Sequence, residues 1–172
     1  MVRRRYKEEG LKRASFFLRY KMTNPIPKGF SSITPHLVIK DCAKAIDFYK
    51  KALGAQEIYR SLMPDGGVMH AMIQIGNSFV MMADEFPDMG AVSPNTLGGT
   101  STVLHIYTDD ADKLFQQATD AGATPIMSIA DMFWGDRYGQ IQDPYGHRWA
   151  IATHKKDVSP EEMEKAAKEF FT

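Results

Sequence analysis

His36-Leu-Val-Ile-Lys-Asp41 and His105-Ile-Tyr-Thr-Asp-Asp110 share one pattern, 69 positions apart. Each is a short apolar run rich in strand formers, and each is followed by apolar residues at helical spacing. Both helical patterns end at Gly-Ala, as Gly54-Ala55 and Gly122-Ala123. The Asp-to-Gly offset is thirteen residues in the first copy and twelve in the second. A strand–helix unit used twice argues for a tandem duplication. It places His36 and His105 at equivalent points of two modules. A cleft between duplicated modules is the natural place for a small ligand.

Outward from these stretches, turn residues and period-two runs supply further strands. Ile33 to Ile39 reads as a strand with Leu37 and Ile39 on one side and Thr34, His36 and Val38 on the other. Asp41 is expected to cap a helix carrying Ala45, Ile46, Phe48, Tyr49, Ala52 and Leu53, ended by Gly54. Strands follow at Gln56–Leu62, Val68–Ile75 and Ser78–Ala83, separated by turns at Pro64-Asp-Gly-Gly67 and Gly76-Asn77. Asp84 to Thr100 reads as a loop that links the modules and is placed to cover the cleft. The second copy gives a strand at 101–108 and a helix at about 111–121, with Leu114, Phe115 and Ala118 inward. A strand at 124–129, a loop at 130–136, and strands at 137–142 and 147–153 complete it. Ser159-Pro-Glu-Glu162 opens a last helix with a capping box, and Phe170 and Phe171 are expected to dock it.

The 172 residues make one domain or two small modules sharing a core. The expected divisions are a basic extension at 1–23, a paired-module domain at 24–157 (modules at about 33–84 and 101–154) and a C-terminal helix at 158–172. The zero net charge hides an asymmetry. Residues 1–21 hold eight Lys or Arg against Glu8 and Glu9, whereas the rest is acidic. The head reads as a disordered or dispensable extension rather than a nucleic-acid or membrane arm. Met22 is a plausible alternative start. The one cysteine, Cys42, excludes an intramolecular disulfide and suits a reducing compartment, so a cytoplasmic location is expected. No apolar run approaches the roughly 20 residues needed to cross a bilayer. Neither nucleic acid nor membrane is expected as a partner. Phosphate-loop, dinucleotide, Cys-x-x-Cys and Gly-x-Ser-x-Gly signatures are absent from the sequence.

Several motifs carry a resemblance. They are Thr34-Pro-His-Leu-Val-Ile39, Ala45-Ile-Asp-Phe-Tyr-Lys50, Met82-Ala-Asp-Glu-Phe-Pro87 and Leu97-Gly-Gly99, with Trp134-Gly-Asp-Arg-Tyr-Gly139 and Asp143-Pro-Tyr-Gly-His-Arg-Trp149. In this order they resemble the vicinal oxygen chelate superfamily of glyoxalases, bleomycin-resistance proteins and dioxygenases, and its PhnB-like branch in particular. The resemblance covers residues 24–171. It implies an α+β fold of tandem βαβββ modules, forming an open, cupped eight-stranded sheet, and a homodimer.

Metal-using members of that superfamily take one ligand from each first strand and one from a later strand of each module. In this chain those positions fall on Thr34, Val103, Ala150 and Met81 or Met82. None suits a hard or borderline divalent ion, so no cofactor is expected. His36 and His105 each lie two residues beyond the expected ligand position, on the same strand face and about 7 Å along the strand. With His70 they offer a shifted divalent-metal site as an alternative. The favoured reading is a small-molecule binding protein whose ligand, aromatic or antibiotic-like, is lined by His36, His70, His105, Tyr107, Trp134 and Arg137. Phe133 and Trp134 are suited to stack on a planar ligand, and Arg137 to meet an anion. A metal-dependent lyase, isomerase or dioxygenase using the three histidines is the second reading. Cys42 reads as structural, as do His147 and His154 where they are not simply exposed. Six of the eleven methionines lie between Met63 and Met89, which suits an adaptable pocket or a filled core.

Overall fold

The computed structural model describes residues 24–170. The basic head, the Met22 start and Phe171 lie outside them. Residues 24–33 belong to a unit of their own and form turns, one closed by the Phe30 N–H on the Pro27 carbonyl at 3.1 Å.

From Thr34 onward the duplication is explicit. The first module runs β1 (His36–Ile39), α1 (Cys42–Leu53), β2 (Gln56–Leu62), β3 (Val68–Ile75) and β4 (Ser78–Asp84). After a 3-10 turn (Pro87–Met89) and the short α2 (Pro94–Leu97), the second module repeats the order. It consists of β5 (Val103–Tyr107), α3 (Ala111–Asp120), β6 (Thr124–Asp131), β7 (Asp136–Gln142) and β8 (Arg148–His154). The chain closes with α4 (Pro160–Phe170). The fold is thus the expected α+β arrangement of tandem βαβββ modules. Its eight strands divide into two open four-stranded sheets, ordered β1-β4-β3-β2 and β5-β8-β7-β6. In each, the first strand runs parallel to the fourth and the other pairings are antiparallel.

Alternation decides which face each strand buries. Leu37, Ile39, Ala71, Ile73, Val80 and Met82 turn to α1, while His36, Val38, His70, Met72 and Met81 take the other side. One hydrophobic cluster spans both modules, from Ile46 and Tyr49 on α1 to Ala118 on α3, Ile141, Trp149 and Ile151. Gln117 on α3 ties the helices together, its side-chain amide donating to the Lys51 carbonyl at 2.8 Å. A second tie is polar and buried. Asp143, 3% exposed, accepts from Tyr49 Oη at 2.6 Å and Trp149 Nε1 at 2.8 Å. Its other oxygen takes the N–H groups of Tyr145 and His147, both at 2.9 Å.

Local details correct several sequence expectations. β1 starts at His36 instead of Ile33, because Pro35 has no N–H for the ladder and offers only its carbonyl, to the Met81 N–H at 2.9 Å. Asp41 precedes α1 but does not cap it. Its φ is 69°, and its carboxylate pairs with Lys44 instead. The capping acceptor is Asp84, at the end of β4, which takes the Cys42 N–H at 2.7 Å and the Val68 N–H at 2.6 Å. In the second module Asp110 does cap, taking the Lys113 N–H at 3.0 Å, and Thr153 at the end of β8 accepts from Ala111 N–H at 2.8 Å. The 130–136 loop is shorter than expected. β6 continues to Asp131, β7 begins at Asp136, and a tight turn joins them. Ser159 and Glu162 form the expected reciprocal capping box, at 3.0 and 3.2 Å.

Candidate functional site

The strand register lines up equivalent positions across the two sheets. In the first, His36 stands beside Met81, Met81 beside Met72, and Met72 beside Tyr59. In the second, His105 stands beside Ala150, Ala150 beside Gln140, and Gln140 beside Met127. The duplicated histidines therefore hold the same place in matching rows, on the strand faces turned away from the hydrophobic core.

Two aromatic groups form on these faces. His36 and His70 meet edge to face, 5.8 Å between ring centres, and Tyr59 lies 6.3 Å from His70. On the other sheet His105 lies 4.5 Å from Tyr107 and 5.7 Å from Tyr138, which in turn lies 5.4 Å from Trp134. The structure thus gathers His36 with His70, and gathers His105, Tyr107 and Trp134 through Tyr138. It sets the two groups on different sheets. Tyr59 and Tyr107 are 53% and 64% exposed, so an incoming flat ring has access to both groups.

Charge on these faces is modest. Partial removal from water, and secondly the neighbouring His70, hold His36 below the ordinary imidazole value, so its ring is neutral near pH 7. Burial and the Asp136 carboxylate raise the Tyr107 phenol, whose hydroxyl donates to Asp136 at 3.2 Å. Arg137 is already engaged. Its guanidinium clasps Asp112 through two bonds of 2.9 and 2.7 Å and sits 3.5 Å from Asp131. Phe133 packs 5.0 Å from Trp134 and 5.4 Å from Phe170, so it docks α4 onto the second sheet. Of the methionines, Met72 and Met81 are half-buried beside His36, Met82 is core, and Met69 and Met89 are exposed.

The superfamily's metal positions do not fit an ion here. Val103 is exposed, Ala150 buried and Met81 half-buried, and none carries a hard donor. Among the described residues no group of three or more His, Cys, Asp or Glu side chains is arranged to hold a metal. Cys42 is fully buried, with its thiol pushed up to about 12 by burial first and by Asp84 and Asp41 next, which removes it as a nucleophile.

Tyr59 was missed from sequence, and Tyr138, present in the Trp134–Gly139 motif, was not placed among the lining residues, although each alternates in phase with residues already on the exposed face. It also missed Arg148, which lines a cavity at the edges of the two sheets. His154 is clamped between Asp136 at 2.9 Å and Asp157 at 3.1 Å, and these carboxylates, Asp136 first, raise its imidazole above the ordinary value.

Fold and sheet geometry define a class, and sequence comparison agrees. The profile of the Glyoxalase/Bleomycin resistance protein/Dioxygenase superfamily matches residues 29–151, and the chain belongs to that superfamily. An uncharacterized protein of Mycobacterium bovis is 41% identical over 78% of this chain and 91% of its own length. The crystal structure of TioX from Micromonospora sp. ML1 is similar at 25% identity, with a TM-score of 0.59, covering 72% of this chain and 98% of that one. A PhnB protein from Bacillus cereus shares the fold at 16% identity and a TM-score of 0.57, over 72% of this chain and 99% of its own. Among the described residues no helix is long and apolar enough to cross a membrane.

Proposed function

We propose that this protein is a cytoplasmic small-molecule binding protein that sequesters a flat aromatic or antibiotic-like compound on its sheet faces without a metal ion. The carrying observation is the pair of accessible aromatic groups, His36–His70–Tyr59 and His105–Tyr107–Tyr138–Trp134, at equivalent places in the duplicated sheets. Ring faces and edges of this kind hold planar ligands by stacking. The neutral His36 ring gives a hydrogen-bonding edge at little charge cost. Membership of a superfamily that includes bleomycin-resistance proteins supports the reading. So does the poor fit of its metal positions.

The proposal includes a homodimer. Ile58, Tyr59 and Leu62 on β2, Val103 and Tyr107 on β5, and Ile126 on β6 are large apolar side chains 43–64% exposed. A second copy covering them would enclose a ligand between the first sheet of one chain and the second sheet of the other. The test is calorimetric titration of chelator-treated protein with bleomycin and a panel of planar aromatic acids. At least one compound is expected to bind, and Tyr107→Ala or Trp134→Ala to weaken it about tenfold, equivalent to about 1.4 kcal/mol. Binding that the two variants leave unchanged overturns the reading.

One observation favours a second reading, a metal-dependent lyase, isomerase or dioxygenase. His36 and His70 are neighbours, and a neutral His36 is a competent ligand. A third ligand, His105 of a second copy, would have to reach them. Stoichiometric divalent ion that is lost in His36→Ala supports that reading, and its absence after loading with Ni, Mn, Fe(II) or Zn removes it.

A further inference from the structure

A cavity of about 490 Å³ lies where β1 and β5 face the linker and the turn between β7 and β8, and of the aromatic groups only His36 borders it. Leu37, Leu97 and Leu104 give it apolar walls, while Thr102, His147 and Arg148 add polar groups. The linker, expected to cover a cleft, roofs this cavity. Glu85 accepts the Ser93 N–H at 3.0 Å and the Thr96 hydroxyl at 2.8 Å, and Asn95 donates to the Pro144 carbonyl at 2.9 Å. The roof is thus bound to both modules.

The polar wall is incomplete. His147 is 8% exposed, and its ring hydrogen-bonds the Val38 carbonyl, which makes that nitrogen the donor. The other nitrogen, Nε2, is buried and has no partner among the described residues. Burial holds the imidazole below its ordinary value against the opposing pull of Asp143, so the ring is neutral and Nε2 is an acceptor. A buried acceptor without a donor costs its full desolvation. Beside it Arg148 is exposed and has no ion pair among the described residues. An orphan acceptor just behind the wall, a free guanidinium and apolar walls around one space call for a ligand with a matching donor, anion and hydrocarbon.

We propose that this cavity is a second binding site, for a small hydroxycarboxylate with an apolar body. On binding, the wall yields enough for the ligand's hydroxyl to reach His147 Nε2 and donate to it, while its carboxylate sits on Arg148 and its hydrocarbon lies against Leu37 and Leu104. The site shares His36 with the first aromatic group but none of His105, Tyr107, Tyr138 and Trp134, so its fate and that of the second group are separable.

The test is calorimetric titration of the full chain with 3-phenyllactate, with 3-phenylpropanoate, which lacks only the hydroxyl, and with inorganic phosphate. Phenyllactate is expected to bind at least about tenfold more tightly than phenylpropanoate, because the latter leaves Nε2 unpaired. Phosphate alone is expected not to bind. Arg148→Gln weakens phenyllactate about tenfold. His147→Asn keeps a donor for the Val38 carbonyl but deletes Nε2, and so removes the preference between the two acids. Tyr107→Ala leaves all of this unchanged. Equal binding of the two acids, no binding of either, or loss in Tyr107→Ala overturns the proposal; the first outcome means that water alone satisfies Nε2. If His147→Asn does not fold, the acid pair and Arg148→Gln still decide it.

Discussion

Asp143 carries more of the molecule than any residue singled out for function. A single buried carboxylate receives four donors, two of them the rings of Tyr49 and Trp149 on different elements. Asp143→Ala leaves all four without their acceptor, so a loss of roughly 3–5 kcal/mol is expected in urea unfolding, against about 1–2 kcal/mol for Tyr49→Phe. Comparable losses would mean that the carboxylate does not organise the contact between the modules. Cys42 gives a cheaper check. With its thiol buried and raised to about 12, it is expected to resist alkylation at pH 8 until the chain unfolds. Rapid labelling of the native protein would contradict the packing of α1. Cys42 reads as structural in the sequence, and its burial agrees. Asp143 was less legible: the Asp143-Pro-Tyr-Gly146 turn showed a bend but not the distant Tyr49 that the bend receives.

The elements themselves were largely legible. Period-two runs gave β2 and β3 their full lengths, and the Gly54 stop and the Ser159–Glu162 box bounded their helices. Errors fell where long-range partners override local chemistry. Asp41 has a capping residue's identity, yet Asp84 from β4 takes the N–H, a contact 42 positions away that no local pattern encodes. The site was half legible for the same reason. Duplication placed His36 and His105 in equivalent rows, but the side-chain partners that engage Arg137, and leave Arg148 without an ion pair among the described residues, are tertiary facts. At this scale the end of β8 is pH-sensitive. His154 is raised in the folded state, so its pairing with Asp136 and Asp157 contributes fully below about 6.5, the unfolded value, and is lost as pH rises through the folded value. Exchange protection across Lys155 and Lys156, whose N–H groups rest on the Gly135 carbonyl at 2.9 and 3.1 Å, is expected to fall between pH 6 and 8. His154→Gln abolishes that dependence; protection that falls equally in the variant assigns it elsewhere. Gly135 permits this docking, since a Cβ there would come within 2.1 Å of the Lys156 carbonyl oxygen. Its φ of 99° also disfavours other residues.

As a whole, the molecule presents two open sheets that bury one face of each strand set and offer the other, lined with imidazoles, phenols and an indole. The proposed dimer predicts twice the chain mass in light scattering. Lysine at both Val103 and Tyr107 is expected to shift it to monomer while far-ultraviolet dichroism is unchanged; a monomeric wild type at high concentration contradicts the dimer. Within the superfamily, chemistry and simple binding share this fold, so function rests on the site rather than the scaffold. The most direct measurement follows the ring resonances of His36, His70, His105 and Tyr107 in chelator-treated protein by nuclear magnetic resonance, while bleomycin and planar aromatic acids are titrated in. The account predicts saturable shifts at these rings for at least one compound with no metal present. Shifts that arise only after a divalent ion is added, with His36 and His70 responding first, would contradict it and establish a metal centre instead.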